Sequence, residues 1–315
     1  ASPGYWWFVA IFALGRPLLS ATNALAGVCA AEETAFADRS KAVALVAAGY
    51  ALGAGLLAFI HGLAGSIGFR GTVLLGVVPL AFLPFLGQVI EEPDRYARYS
   101  VAAEHRLAVV AAVGRQYRKR LLLISLVVMG TSVITGPANS FVFLYAENVA
   151  HMSGATTSLM VAAAGVTGFG GLLLGRYMAD NIGRRLSIVI GLCVVVCFGV
   201  MTYSGRGAVV FVGYALGVLA AAVLAPSAGS YVNELFPTSV RASVAGFEIA
   251  AGVVGAVVGL LVFGSVADVG NRFGWAAAFT FVPALLFLLP LLFLPETKDT
   301  EPEDLWPESD HGGIA

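Results

Sequence analysis

The chain has 315 residues, 58% hydrophobic and only 12% charged, with a formal net charge of −1. An ordinary soluble domain carries roughly 25% charge, and this much apolar side chain around one core would leave wide sticky surface in water. The near-neutral balance also argues against nucleic acid as a partner.

A bilayer removes the difficulty, because lipid is itself an apolar solvent for outward-facing side chains. In lipid the backbone must satisfy its own hydrogen bonds, which leaves helices or a closed barrel. Apolar runs of about 20 residues fit helices, and the alternation of barrel strands, about ten residues at a time, is absent. The expected fold class is all-α: a polytopic membrane protein whose partner is the lipid bilayer. In chain order nine spans are predicted, at 6–31, 42–62, 72–90, 121–145, 156–175, 187–204, 208–231, 243–265 and 274–294. Segment 91–120 is arginine-rich and reads as a linker outside the lipid. Residues 295–315 carry seven acids against one lysine and read as a solvated acidic tail. Cys29, Cys193 and Cys197 all fall in apolar runs, with neither histidine nor carboxylate beside them, so packing is the expected role.

Positive charge orients the spans, since basic residues stay on the cytoplasmic side. With the carboxyl terminus cytoplasmic, 14 of the 18 basic residues fall in cytoplasmic segments and three outside (Arg70, Arg206 and Arg272), with Arg16 left inside the first span. Tyr5, Trp6 and Trp7 then sit where an outer aromatic belt belongs.

Two signatures recur. Glu32 to Arg39 and Glu234 to Arg241 both read Glu-x6-Arg, 202 residues apart. Glu92, within Glu91-Glu92-Pro93-Asp94-Arg95, and Glu296, within Pro295-Glu296-Thr297-Lys298, are 204 residues apart. The nearly equal offsets suggest two related halves in parallel orientation joined by the basic linker.

The run Gly175-Arg-Tyr-Met-Ala-Asp180-Asn-Ile-Gly183-Arg184-Arg185 resembles the signature loop of the major facilitator superfamily (MFS), G-x-x-x-D-x-x-G-R-R, with four residues instead of three between Gly175 and Asp180. Pro295–Lys298 resembles the closing motif of the sugar-porter branch and its metabolite–proton symporter relatives. Glu91–Arg95 is a degraded form of that branch's Pro-Glu-Ser-Pro-Arg, and Phe236-Pro237 is similarly typical. The resemblance covers the whole chain as family helices 4 to 12. It implies an MFS-type helical bundle of nine transmembrane helices, truncated from twelve. Residues 1–90 would be a partial amino-terminal half, 91–120 the linker, 121–294 a complete carboxyl-terminal six-helix half, and 295–315 the tail. The missing helices would be a partner in the full-length protein, and the fragment alone is expected not to transport.

The resemblance further implies that the signature loop latches a cytoplasmic gate. Gly175 and Gly183 are expected to permit a tight reversal, and Asp180 to meet either a helix amino terminus or an arginine. Asp180, Arg184 and Arg185 would engage Glu234 and Arg241 beside them and Arg39 opposite, with Glu32, Glu92, Arg95 and Glu296 in the same charged layer. Gly49-x3-Gly53 and Gly171-x3-Gly175 would pack across the halves, whereas Gly255-x3-Gly259 would face family helix 2.

Ionisable groups inside a membrane are functional suspects. Arg16 and Glu248 are candidates for proton coupling; the alternatives are structural pairing with loop carboxylates for Arg16 and with arginine for Glu248. Family helices 1, 4, 7 and 10 line the cavity, so Asn23, Thr131, Thr135, Asn139, Ser227 and Asn233 are candidate substrate contacts. Gly136-Pro137 is an expected helix break towards that cavity. A neutral metabolite, an organic acid and a drug-like compound all fit as substrate. The implied function is secondary active transport of a small metabolite across the cell membrane, by symport with protons. The alternative is a non-transporting sensor or a degenerate remnant of the same fold. No histidines pair in a motif and no Gly-x4-Gly-Lys loop occurs, so no enzyme, metal or cofactor is expected.

Overall fold

The computed structural model describes residues 117–298 continuously, apart from Pro237 and the side chains of 238–242, together with Thr300 and isolated positions among residues 4–85. The chain divides into two compact units, Ala1–Ala103 and Glu104–Ala315. In the first, residues 6–12 are helical and Val78–Phe82 form a 3-10 turn. Trp6 and Trp7 are largely exposed there. The first three predicted spans otherwise lie largely outside the described residues, as do most of the linker and the acids beyond Thr300.

The described residues of the second unit form six long helices: α1 (Arg118–Ser140), α2 (Gly154–Asn181), α3 (Arg184–Ser204), α4 (Ala208–Leu235), α5 (Thr238–Asp268) and α6 (Phe273–Ala284). The last continues as a 3-10 segment, Leu285–Phe293. No strand occurs among the described residues. Counting Ser243–Asp268 for α5 and Phe273–Phe293 for α6, all six are long and apolar enough to cross a membrane, with mean hydropathies of 1.7 to 2.4. They correspond to the last six predicted spans. Arg118, Lys119 and Arg120, assigned above to the linker, instead open α1.

Over most of its length α2 sorts its side chains by size rather than by polarity. On α2 the buried stripe is Ala164, Gly168, Gly171, Gly175 and Ala179, at three- and four-residue spacing, while Val166, Phe169, Leu173 and Tyr177 point outward. In lipid no apolar driving force separates inside from outside, so small residues mark where backbones approach. A Cβ on Gly175 would lie 2.8 Å from Val223 Cα, and one on Gly171 2.9 Å from Ala222 Cβ, both on α4. This glycine pair thus packs inside its own half rather than across the halves. Gly255 and Gly259 likewise face α1, where added Cβ atoms would come within 3.0 Å of Met129 Cα and 2.9 Å of Val133 Cα. The third pair therefore has its partner within the described residues, contrary to the sequence expectation. Gly175 is also helical, so Gly183 alone of the two signature glycines serves the reversal.

The expected break at Gly136-Pro137 does not occur. α1 runs through Pro137 and ends at Ser140, followed by a turn at Val142–Leu144 and a π-helical turn at Tyr145–Val149. The buried hydroxyl of Tyr203 on α3 donates to the Ala138 and Pro137 carbonyls, at 2.8 and 3.2 Å, in the last turn of α1. That turn has orphan carbonyls by construction. Tyr203, Tyr145, Phe263, Phe273 and Phe281 form one aromatic cluster that ties α3, α5 and α6 to the π-helical turn. Cys193 and Cys197 lie on the exposed face of α3, outside the core.

Candidate functional site

At the opposite end of the bundle, α2 reverses into α3 through Ile182 and Gly183. Gly183 has φ = +117°, a conformation that glycine adopts without a Cβ penalty. It stands at the N-cap of α3 and has no side chain to cap it, so the first N–H groups of α3 need an acceptor from elsewhere. Glu296 supplies it. Its Oε1 accepts from the Arg184 N–H at 2.9 Å and its Oε2 from the Arg185 N–H at 3.1 Å. A full negative charge on two amides at the positive end of a helix is the favourable arrangement for both the hydrogen bonds and the macrodipole.

The arginine that follows reaches back. Arg184 Nη1 donates to the Ala179 carbonyl at 2.8 Å, in the last turn of α2, and Nη2 to Glu234 Oε1 at 3.0 Å. Lys298 Nζ donates to the Asn181 carbonyl at 2.8 Å. The negative end of α2 thus meets two cations and the positive end of α3 meets one anion. The other oxygen of Glu234 accepts a short hydrogen bond from Thr297 Oγ1. The Tyr231 hydroxyl donates to the Pro295 carbonyl at 2.7 Å, and Arg120 Nη1 to the Leu235 carbonyl at 3.3 Å. Pro295–Lys298 is therefore docked on the bundle, with Thr297 buried, whereas composition alone places it in a solvated tail.

The structure brings Arg184, Glu234 and Glu296 together although they are up to 112 residues apart. Asp180 takes a lesser place than expected: its carboxylate is 4.0 Å from Arg184 and 58% exposed. The helix amino terminus expected of Asp180 is taken by Glu296. Arg185 contributes its backbone N–H, while its Nε is buried without a hydrogen-bond partner. Glu32, Arg39, Glu92 and Arg95 lie outside the described residues, as does the side chain of Arg241. Sequence reasoning flagged Glu296 by its motif and missed its task. The available signal was a helix opening on Gly-Arg-Arg with no capping side chain of its own.

A second region lies between α1, α3 and α4. A cavity of about 40 Å³ is lined by Thr135, Asn139, Thr202 and Tyr214 among apolar neighbours. The Tyr214 hydroxyl donates to Asn139 Oδ1 at a long 3.4 Å, and Asn139 Nδ2 donates to the Thr135 carbonyl at 2.9 Å. Thr131 and Thr135 return their hydroxyls to the carbonyls four residues back, at 3.0 and 3.1 Å. Ser227 is wholly buried with its hydroxyl towards the Val223 carbonyl, so it offers nothing to a ligand in this conformation. Asn233 is exposed at the charged end of α4. Tyr214 was missed because an aromatic in an apolar run reads as core. Arg16 and Asn23 lie outside the described residues. Glu248 stands inside the membrane-crossing part of α5, half-buried, and its Oε1 is enclosed with no hydrogen-bond partner.

The sequence pattern of the Major Facilitator Superfamily matches residues 1–220 and 177–310. The chain belongs to that superfamily and, with six apolar spans among its described residues, is an integral membrane protein. It is 23% identical over 295 residues to a protein of Cupriavidus pinatubonensis named "Probable 4-methylmuconolactone transporter", covering 88% of this chain and 66% of that one. It is 32% identical over 151 residues to multidrug resistance protein 1 of Bacillus subtilis, covering 46% of this chain and 38% of the relative. It is 28% identical over 147 residues to glycerophosphoinositol permease 1 of Candida albicans, covering 44% and 27%. The chain thus spans less than two thirds of the length of each of these curated relatives. The inward-open xylose transporter XylE of E. coli superposes with a TM-score of 0.45 at 20% identity, over 57% of this chain and 48% of that one.

Proposed function

We propose that the protein is a secondary active transporter of a small organic metabolite, coupled to protons, that alternates access between two helical halves. The observation that carries this reading is the clasp of Arg184, Glu234 and Glu296: it binds the two ends of one interhelical turn to two distant motifs through charged contacts. Charged contacts of this kind can be broken and remade as helices move, unlike a packed core. The clasp lies on the cytoplasmic face of the cell membrane, with the carboxyl terminus, as the distribution of basic residues supports. The relatives' names span a lactone, multiple drugs and glycerophosphoinositol, so a small organic compound, a lactone first, is the substrate class to test. The protein catalyses no chemical reaction on that substrate.

The test is uptake by the full-length protein in proteoliposomes with an imposed pH gradient. Accumulation of the substrate above its outside concentration, abolished by a protonophore, is the expected result. Saturable binding with neither net uptake nor counterflow would overturn the reading in favour of a sensor on the same fold.

A further inference from the structure

Away from the clasp, a crevice of about 430 Å³ opens between α1, α5 and α6. Met129 and Val133 line it from α1, Val258 and Val262 from α5, and Phe279 and Leu286 from α6 and its 3-10 continuation. It is built into the helices. Pro283 and Pro290 each lack an N–H donor, and between and beyond them the last helix runs as 3-10 for nine residues. That is well past the usual three or four, and it thins and stretches the chain. Phe287 is held against Gly130, where an added Cβ would lie 2.7 Å from its ring. These features draw the last span onto α1 and open a gap between it and α5.

We propose that this crevice holds one acyl chain of a bilayer phospholipid. Its lining residues lie at least about 9 Å from either end of their spans at 1.5 Å per residue, so the gap opens at hydrocarbon depth, where water is absent. Its floor is buried, with Ala284 and Val133 exposed by 2% and 7%, while its rim is open, with Phe279 and Leu286 exposed by 60% and 65%. The rim continues the outward apolar surface of the spans, so what fills the gap comes from the surrounding lipid. An apolar cavity of roughly 150 Å³ takes a benzene-sized molecule and no water, and this gap is almost three times that size. A run of methylenes fits where a single ring or a water would leave a void. Thr280, the polar residue in the lining, keeps its hydroxyl enclosed without a partner and turned away from any solvent. A headgroup therefore finds no charged or hydrogen-bonding anchor here, and it is the chain that is held.

The test is photolabelling of the full-length protein in nanodiscs with phosphatidylcholine carrying a diazirine midway along one acyl chain. Labelling at Phe279, Val258 and Leu286 is expected to exceed that at Phe169 and Leu173 on the outer face of α2 at least fivefold. Even labelling across all these positions overturns the proposal and leaves only a lipid belt. Val262→Trp, on the rim, is expected to fill the gap and cut labelling at Phe279 and Leu286 severalfold while Leu173 is unchanged. Full labelling of a folded V262W protein also overturns it. Should that variant not fold, the comparison of α6 with α2 in the parent protein decides alone.

Discussion

The carboxylate of Glu296 sits 2.9 Å from the backbone nitrogen of Arg184, so the closing motif of the chain caps a helix that begins 112 residues earlier. This makes Glu296 a stability element as well as a motif residue. Removing a capping side chain costs about 0.5–2 kcal/mol, and a charged acceptor falls at the upper end. Glu296→Ala is expected to destabilise the protein by about 2 kcal/mol in detergent, and Glu296→Gln, which keeps one acceptor oxygen, by about half as much. Thermal melts of the two variants check this; a Glu296→Gln protein as stable as the parent would mean that the carboxylate charge contributes nothing to the cap.

Gly183 is required twice at the same turn. Its φ of +117° disfavours any side chain, and an added Cβ would sit 3.2 Å from Glu296 Oε2, pushing the cap off. Gly183→Ala is therefore expected to cost more than backbone strain alone, which is about 1–3 kcal/mol. In the Glu296→Ala background the same substitution should cost less, because the cap is already lost. Additive losses in the double variant would show that the two effects are separate.

How far the sequence carries the structure differs by level. The last six spans were legible because a lipid solvent demands about 20 apolar residues whatever the packing. The α5 boundary and the helical state of Arg118–Arg120 were not, since charge keeps a segment out of lipid without stopping it from being helical. The convergence of Arg184 with Glu234 was anticipated from motif resemblance. The partners of Gly171, Gly175, Gly255 and Gly259 were not, because small-residue spacing shows that a helix approaches closely and leaves open which helix it approaches. Tyr203 was likewise hidden: nothing in an apolar run marks the one tyrosine whose hydroxyl closes the end of α1.

Arg184 and Glu234 form a pair whose side chains are only 16% and 20% exposed. Truncating either alone leaves a poorly solvated charge. The single variants Arg184→Ala and Glu234→Ala are each expected to destabilise by about 2–3 kcal/mol, with a coupling of about 1–2 kcal/mol in the double variant. Asp180→Asn, at an exposed carboxylate 4.0 Å from the same arginine, should change stability by less than about 0.5 kcal/mol. Chemical denaturation of the four variants tests the set, and a zero coupling would remove the ion pair from the clasp.

Two glycines on α5 are predicted to respond in opposite directions. A Cβ at Gly255 would run into the Met129 backbone, whereas at Gly246 nothing lies within 4 Å. Gly255→Ala must separate α5 from α1 and is expected to cost about 1–3 kcal/mol, the range for overpacking. Gly246→Ala adds helix propensity and is expected to stabilise by up to about 1 kcal/mol. Melting temperatures that move the same way for both would contradict the α1–α5 packing.

Glu248 carries the sharpest functional prediction. A carboxylate in a membrane span is costly and persists where it is paired or does work, and this one has an enclosed oxygen without a hydrogen-bond partner. Glu248→Gln removes the exchangeable proton with little change of shape and no native hydrogen bond to lose at that oxygen, so folding should be preserved. If Glu248 takes up the coupling proton, the full-length E248Q protein should lose accumulation driven by a pH gradient at least tenfold. Substrate exchange across the membrane at equal pH should continue, because the alternation of the halves does not itself need a proton to be moved. Loss of both gradient-driven uptake and exchange would instead make Glu248 a structural residue of α5. Retention of both would place the proton on another group.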